Sequence, residues 1–98
     1  MKVLIIEDEK HLAKILKKGL EENGFTAEVS LDGEEGLYMA ETYPYDAVLL
    51  DIMLPKVDGV TILKTLRKQR IDMPILMLTA KVEIEDKIRG LNIIRRDL

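Results

Sequence analysis

Four short apolar runs separated by amphipathic stretches constrain the fold of this chain more than any other feature. The runs lie at Val3–Ile6, Phe25–Leu31, Asp46–Asp51 and Ile75–Thr79. Continuous apolar runs of this length are typical of strands buried on both faces. The second run alternates less cleanly and leads into Asp32-Gly33, a turn signal. Between and after them, apolar residues recur at helical spacing, which predicts helices over 9–23, 34–42, 60–70 and 82–91. The alternation predicts an α/β fold with a doubly wound parallel sheet and right-handed crossovers.

Composition narrows the class of protein. The chain has 98 residues, enough for one domain, and 47% of them are hydrophobic. A net charge of -3 argues against a general nucleic-acid or membrane-surface binder, since both need concentrated positive charge. The sequence has no cysteine, which excludes disulfides, thiol catalysis and cysteine-based zinc sites. No apolar run approaches the roughly 20 residues of a membrane span and no signal peptide is evident, so we expect a cytoplasmic protein.

Polar residues follow three of the apolar runs. Glu7 and Asp8 come after the first run, Asp51 ends the third, and Thr79 ends the fourth. Ligands of doubly wound sheets bind outside the carboxyl ends of the strands, so these residues are the candidate site. Crowded carboxylates repel one another unless a cation neutralises them, and Mg²⁺ prefers such oxygen ligands. A carboxylate there can also act as a nucleophile and form an acyl phosphate.

Each residue also has a plain structural interpretation. Glu7 and Asp8 can cap the first helix, where carboxylates are favoured. Asp51 can be a surface carboxylate at a strand end, and Thr79 can be structural. The single histidine, His11, is expected to be an exposed residue of the first helix.

The order and spacing of three segments resemble the response-regulator receiver domain of two-component signalling. The segments are Ile5–Glu9, Leu49–Pro55 with Asp58–Gly59, and Leu76–Ala80. The sequence Leu78-Thr79-Ala80 and the later residues 88–92 look most like receivers that precede winged-helix DNA-binding domains. The resemblance implies a flavodoxin-like sheet of order 2-1-3-4. It also implies a phosphoacceptor served by a sensor histidine kinase rather than an enzyme, with at most residual autophosphatase activity and no DNA-reading element in this chain.

The resemblance assigns a role to each residue that matches the family motif. Asp51 would accept the phosphoryl group, and Asp8 and Asp51 would bind Mg²⁺. The main-chain carbonyl of Met53 would add a ligand and Glu7 would be an outer partner of the metal. Thr79 would be the switch hydroxyl, and the main-chain amide of Ala80 would help to hold the phosphoryl group.

The chain departs from the family after residue 91. Receivers continue into a fifth strand and helix, with a lysine that bonds the phosphoryl group, whereas this chain reads Ile93–Leu98 and has no lysine at the matching position. Lys81 belongs to a different loop and is not assigned that role. We therefore expect an incomplete receiver, engineered, frameshifted or naturally altered. Loss of a transition-state cation predicts transfer slower by about 10²–10³.

Two further expectations concern the tail and the sheet edge. Ile84, Ile88, Leu91, Ile94 and Leu98 form a helical stripe, which favours a fourth helix that continues through the atypical tail, residues 92–98; a stub of strand at Ile93–Ile94 is the alternative. Without a fifth strand, residues 75–79 would form an exposed apolar edge that favours pairing with another chain. We therefore expect a homodimer or higher self-association through this edge and the 82–98 helix. Two alternative functions remain: a self-association module with idle carboxylates, or a small hydrolase, for which no positioned base is evident.

Overall fold

The computed structural model describes residues 1–78 and the strand Ile93–Arg96. These residues contain eight elements, in chain order β1 (Lys2–Ile6), α1 (Lys10–Glu22), β2 (Thr26–Ser30), α2 (Gly33–Thr42), β3 (Ala47–Asp51), α3 (Gly59–Lys68), β4 (Ile75–Leu78) and β5 (Ile93–Arg96). The sheet order is β2-β1-β3-β4-β5. The first four strands are parallel, so the predicted fold class and the order 2-1-3-4 are confirmed.

The strand β1 is apolar from Val3 to Ile6, and β3 from Ala47 to Leu50, because their side chains alternate between two cores. On β1, Leu4 and Ile6 enter one core, whereas Val3 and Ile5 enter the other. The first core lies under α2 and α3 and includes Ile62 and Leu66. The second lies under α1 and includes Leu12 and Leu16. Burial on both faces explains why the strands read as continuous apolar runs.

The C-terminal residues correct two expectations. Ile93–Arg96 form a strand antiparallel to β4, with Leu76 opposite Arg96 and Leu78 opposite Ile93. The helix predicted to continue through Ile94 is therefore wrong at these positions, and the strand alternative holds. The edge of β4 has backbone hydrogen-bonding groups with which a further strand can pair, and the helical spacing in the sequence does not reveal this. Isoleucine also favours the strand conformation. The predicted open edge at 75–79 is likewise wrong for Ile75–Leu78, because β5 pairs with it.

Other boundaries shift by one or two residues. The helix α3 ends at Lys68, two residues before the predicted end, and Arg70 adopts a left-handed backbone with φ of 64°. The predicted helix at 82–91 lies outside the described residues. Within the part of the chain that the structure describes, no helix is long and apolar enough to cross a membrane.

The N-terminus of α3 makes stability sensitive to acid. Asp58 caps the helix by accepting a hydrogen bond from the Thr61 main-chain N–H at 2.8 Å, and this bond lowers the pKa of the Asp58 carboxyl. Because its pKa is lower in the folded chain, the Asp58 carboxylate stabilises the fold fully above its unfolded pKa of about 3.9. This stabilisation is lost as pH falls through the folded pKa.

We expect Asp58→Asn to flatten this dependence, because asparagine caps a helix equally well but carries no titrating carboxyl. Urea midpoints at pH 7, 5, 4 and 3 measure the effect. The unmodified chain should lose more stability between pH 5 and pH 3 than the variant. Parallel curves for the two chains would contradict this role for Asp58.

Candidate metal centre

Three carboxylates meet at the carboxyl end of the parallel strands. Ile6 of β1 pairs with Leu50 of β3, so the next residues, Glu7 and Asp51, lie at neighbouring positions. Carboxylate oxygens of Glu7, Asp8 and Asp51 all lie within 4.8 Å of one another. The structure therefore brings these three residues together at one end of the sheet.

Burial differs sharply among the three carboxylates. Glu7 is 0% exposed and Asp51 is 2% exposed, whereas Asp8 is exposed. Asp51 is thus not the surface carboxylate of the plain structural interpretation. Carboxylates that are buried side by side repel one another, and a divalent cation would remove this repulsion. The donor set consists of hard oxygens, which fits Mg²⁺ or Ca²⁺ rather than a soft transition metal.

Helix capping does not account for Glu7 or Asp8. The helix α1 begins at Lys10 and its cap is Glu9, whose carboxylate accepts a hydrogen bond from the His11 main-chain N–H at 3.1 Å. Glu7 instead accepts a hydrogen bond from the main-chain N–H of Glu9 at 3.0 Å. His11 is exposed on α1, as predicted.

The loop between β3 and α3, residues 52–58, is held against Asp51. The main-chain N–H of Met53 donates to Oδ1 of Asp51 at 3.3 Å. At the end of the loop, the N–H of Gly59 donates to the Ile52 carbonyl at 2.7 Å. The Met53 side chain is exposed. Both bonds restrict the segment that immediately follows the buried carboxylate.

Two residues that were not predicted to belong to the site lie next to these loops. Ser30 is a completely buried polar residue at the end of β2, and Gly33 begins α2. An Asp-Gly turn was evident in the sequence, but nothing in it reveals which loop the turn contacts. Thr79 and Ala80, expected to complete the site, lie outside the described residues, as does Lys81.

Comparison with known proteins identifies the family. The sequence pattern of the response regulator receiver domain matches residues 3–97. This chain belongs to that family. The resemblance drawn from the carboxylate and Leu-Thr-Ala segments is thereby confirmed.

The similar proteins are more than twice as long as the segment that matches this chain. The alkaline phosphatase synthesis transcriptional regulatory protein PhoP of Bacillus subtilis is 46% identical over 92 residues, which cover 94% of this chain and 38% of PhoP. The transcriptional regulatory protein CusR of Escherichia coli is 46% identical over 93 residues, which cover 95% of this chain and 41% of CusR. The chain thus spans less than half the length of these relatives.

Solved receiver structures share the fold. The receiver domain of the Francisella response regulator 1452 superposes with a TM-score of 0.79 at 43% identity, covering 92% of this chain and 74% of that one. The response regulator TrrA of Thermotoga maritima, solved in complex with Mg(2+)-BeF, gives a TM-score of 0.77 at 34% identity, covering 81% of this chain and 69% of TrrA.

Proposed function

We propose that this receiver domain accepts a phosphoryl group on Asp51 in a Mg²⁺-dependent reaction. The observation that carries the proposal is the clustering of three carboxylates around the buried end of β3. Family membership supports the reaction class. The relative TrrA was solved in complex with Mg(2+)-BeF, which supports Mg²⁺ as the cation proposed here. Asp8 and Asp51 would bind the metal together with the Met53 carbonyl, and Glu7 would act as an outer partner.

In the proposed reaction a carboxylate oxygen of Asp51 attacks the phosphorus atom of the donor. A new O–P bond forms as the donor's bond to phosphorus breaks, and the leaving group departs with that electron pair. The product is an acyl phosphate on Asp51. When bound, Mg²⁺ would neutralise charge shared by the carboxylates and the phosphoryl oxygens. The hydrogen bond from Met53 to Asp51 Oδ1 helps to orient the nucleophilic carboxylate.

Further parts of the proposal rest on family resemblance. Thr79 would be the switch hydroxyl and the Ala80 amide would help to hold the phosphoryl group. A sensor histidine kinase would be the donor, and the receiver would function in the cytoplasm without binding DNA itself. Any hydrolytic activity would be limited to loss of its own phosphoryl group. A receiver that lacks the family's lysine would transfer the phosphoryl group about 10²–10³ more slowly than one that supplies it.

Acetyl phosphate tests the proposal directly. The chain incubated with acetyl phosphate and Mg²⁺ should gain the mass of one phosphoryl group, and addition of EDTA should prevent the gain. Omission of acetyl phosphate with Mg²⁺ present is the control. An unchanged mass over hours, or a gain that persists in EDTA, would contradict Mg²⁺-dependent phosphorylation.

Self-association is the second candidate function. The edge of β4 does not support it, because β5 covers that edge. The observation in its favour is an apolar groove of about 360 Å³ beside α1, whose lining includes Leu16, Leu20, Phe25 and Leu49. In this alternative the carboxylates are inert, so the acetyl phosphate experiment would give no phosphorylated product.

A further inference from the structure

The turn between β2 and α2, Ser30–Gly33, touches the loop after β1, which carries Glu7 and Asp8, through its first residue. The Ser30 carbonyl accepts a hydrogen bond from the main-chain N–H of Glu7 at 3.0 Å. Ser30 is 0% exposed, so this bond is shielded from water. The main chain is therefore fixed at the point where Glu7 and Asp8 leave β1.

The last residues of the turn touch the loop that follows Asp51, residues 52–58. The main-chain N–H of Gly33 donates to the Pro55 carbonyl at 3.3 Å. A Cβ atom built on Gly33 would lie 1.8 Å from the Val57 carbonyl oxygen, so only glycine permits this approach of the two backbones. Lys56, in a left-handed conformation with φ of 72°, places Nζ 3.6 Å from Asp32.

Internal hydrogen bonds hold the turn itself in one shape. The Ser30 hydroxyl donates to the Asp32 carbonyl at 2.9 Å. Asp32 also caps α2, since its carboxylate accepts a hydrogen bond from the Glu35 N–H at 2.7 Å. A continuous series of short contacts thus runs from Glu7, through the turn, to Pro55.

We infer that the Ser30–Gly33 turn sets the distance between the loop that carries Glu7 and Asp8 and the loop that follows Asp51, and so tunes cation binding at the carboxylate cluster. Ser30 and Gly33 are positioning residues, because neither is among the clustered carboxylates. Mg²⁺ demands near-ideal octahedral ligand geometry, so a small displacement of one loop weakens binding. This inference rests on the proposed function and adds a determinant of metal affinity to it.

Ser30→Ala and Gly33→Ala test the inference. Ser30→Ala removes the hydroxyl that shapes the turn, and Gly33→Ala forces the turn away from Val57. Isothermal titration calorimetry with MgCl₂ gives the dissociation constant without requiring phosphorylation. Loss of groups that orient metal ligands commonly weakens metal affinity by about 10–100-fold. We expect about tenfold for Ser30→Ala and more for Gly33→Ala.

Two control variants separate positioning from general effects. Gly19→Ala makes the same chemical change on α1, where an added Cβ meets no atom within 4 Å. Leu66→Ala lowers stability through the core under α3, where Leu66 is 0% exposed. Both should keep the Mg²⁺ dissociation constant of the unmodified chain at a temperature where circular dichroism shows them folded.

The outcomes distinguish this inference from the proposed function. A folded Ser30→Ala or Gly33→Ala chain with unchanged Mg²⁺ affinity would overturn the role of the turn alone. Equal weakening in Leu66→Ala would also overturn it, because the effect would then follow stability. If Gly33→Ala does not fold, Ser30→Ala decides the matter. An unmodified chain that binds no Mg²⁺ would contradict the proposed function and the role of the turn together.

Discussion

Asp51→Asn is expected to abolish phosphorylation by acetyl phosphate. The substitution nearly preserves the shape of the side chain but replaces the nucleophilic carboxylate with a weakly nucleophilic amide. Asp51 is 2% exposed, so a similar shape is needed to keep its surroundings intact. Intact-mass spectrometry should detect no phosphoryl gain in the variant under conditions that phosphorylate the unmodified chain.

The same variant should respond differently to the metal. Removing one of three clustered negative charges relieves their repulsion, so Asp51→Asn should unfold at a higher temperature than the unmodified chain in EDTA. It should also bind Mg²⁺ at least about tenfold more weakly, or about 1.4 kcal/mol. Thermal unfolding with and without MgCl₂ measures both effects.

Asp46→Asn is the matched control for charge and chemistry. Asp46 is exposed and accepts a hydrogen bond from the Lys2 main-chain N–H at 2.7 Å, at the opposite end of the sheet. It should be phosphorylated normally and should keep its response to Mg²⁺. Phosphorylation of Asp51→Asn at the normal rate would place the phosphoacceptor elsewhere.

Gly59→Ala is expected to destabilise the fold and the site together. A Cβ atom on Gly59 would lie 2.3 Å from the carbonyl oxygen of Asp51 and 2.8 Å from the Cα of Ile52. Both atoms belong to the backbone, so no side-chain rotation can relieve the overlap. Overpacking of this kind costs roughly 1–3 kcal/mol and sometimes more. Urea unfolding measures the loss of stability.

Gly19→Ala again provides the comparison, because an added Cβ there meets nothing within 4 Å. In the interior of α1 the exchange should increase stability by roughly 0.5–1 kcal/mol. The two glycine variants are therefore expected to change stability in opposite directions. A Gly59→Ala chain as stable as the unmodified protein would contradict the close backbone contact at Asp51.

The sequence predicts the central sheet because its determinants are local. Val3–Ile6 and Ala47–Leu50 are apolar throughout, a pattern typical of strands buried between two helical layers. The strand Ile93–Arg96 could not be predicted in the same way. Its conformation depends on pairing with β4, a contact between distant parts of the chain, whereas the local spacing of Ile94 with earlier residues suggested a helix.

The candidate site, too, could be predicted only in part from the sequence. Glu7, Asp8 and Asp51 follow strands that are neighbours in the sheet, so the topology alone brings them together. The role of Gly33 was not predictable, because it depends on the approach of the Val57 carbonyl from another loop. An Asp-Gly pair indicates a turn but does not identify the backbone packed against it.

Asp51 itself is expected to become the acyl phosphate. Borohydride reduction after treatment with acetyl phosphate and Mg²⁺ converts a phosphorylated aspartate to homoserine, which peptide mass spectrometry can locate. We predict conversion at residue 51 that disappears when EDTA is present during the acetyl phosphate step. Conversion at another carboxylate, or none at all in a chain shown to be folded, would contradict the claim.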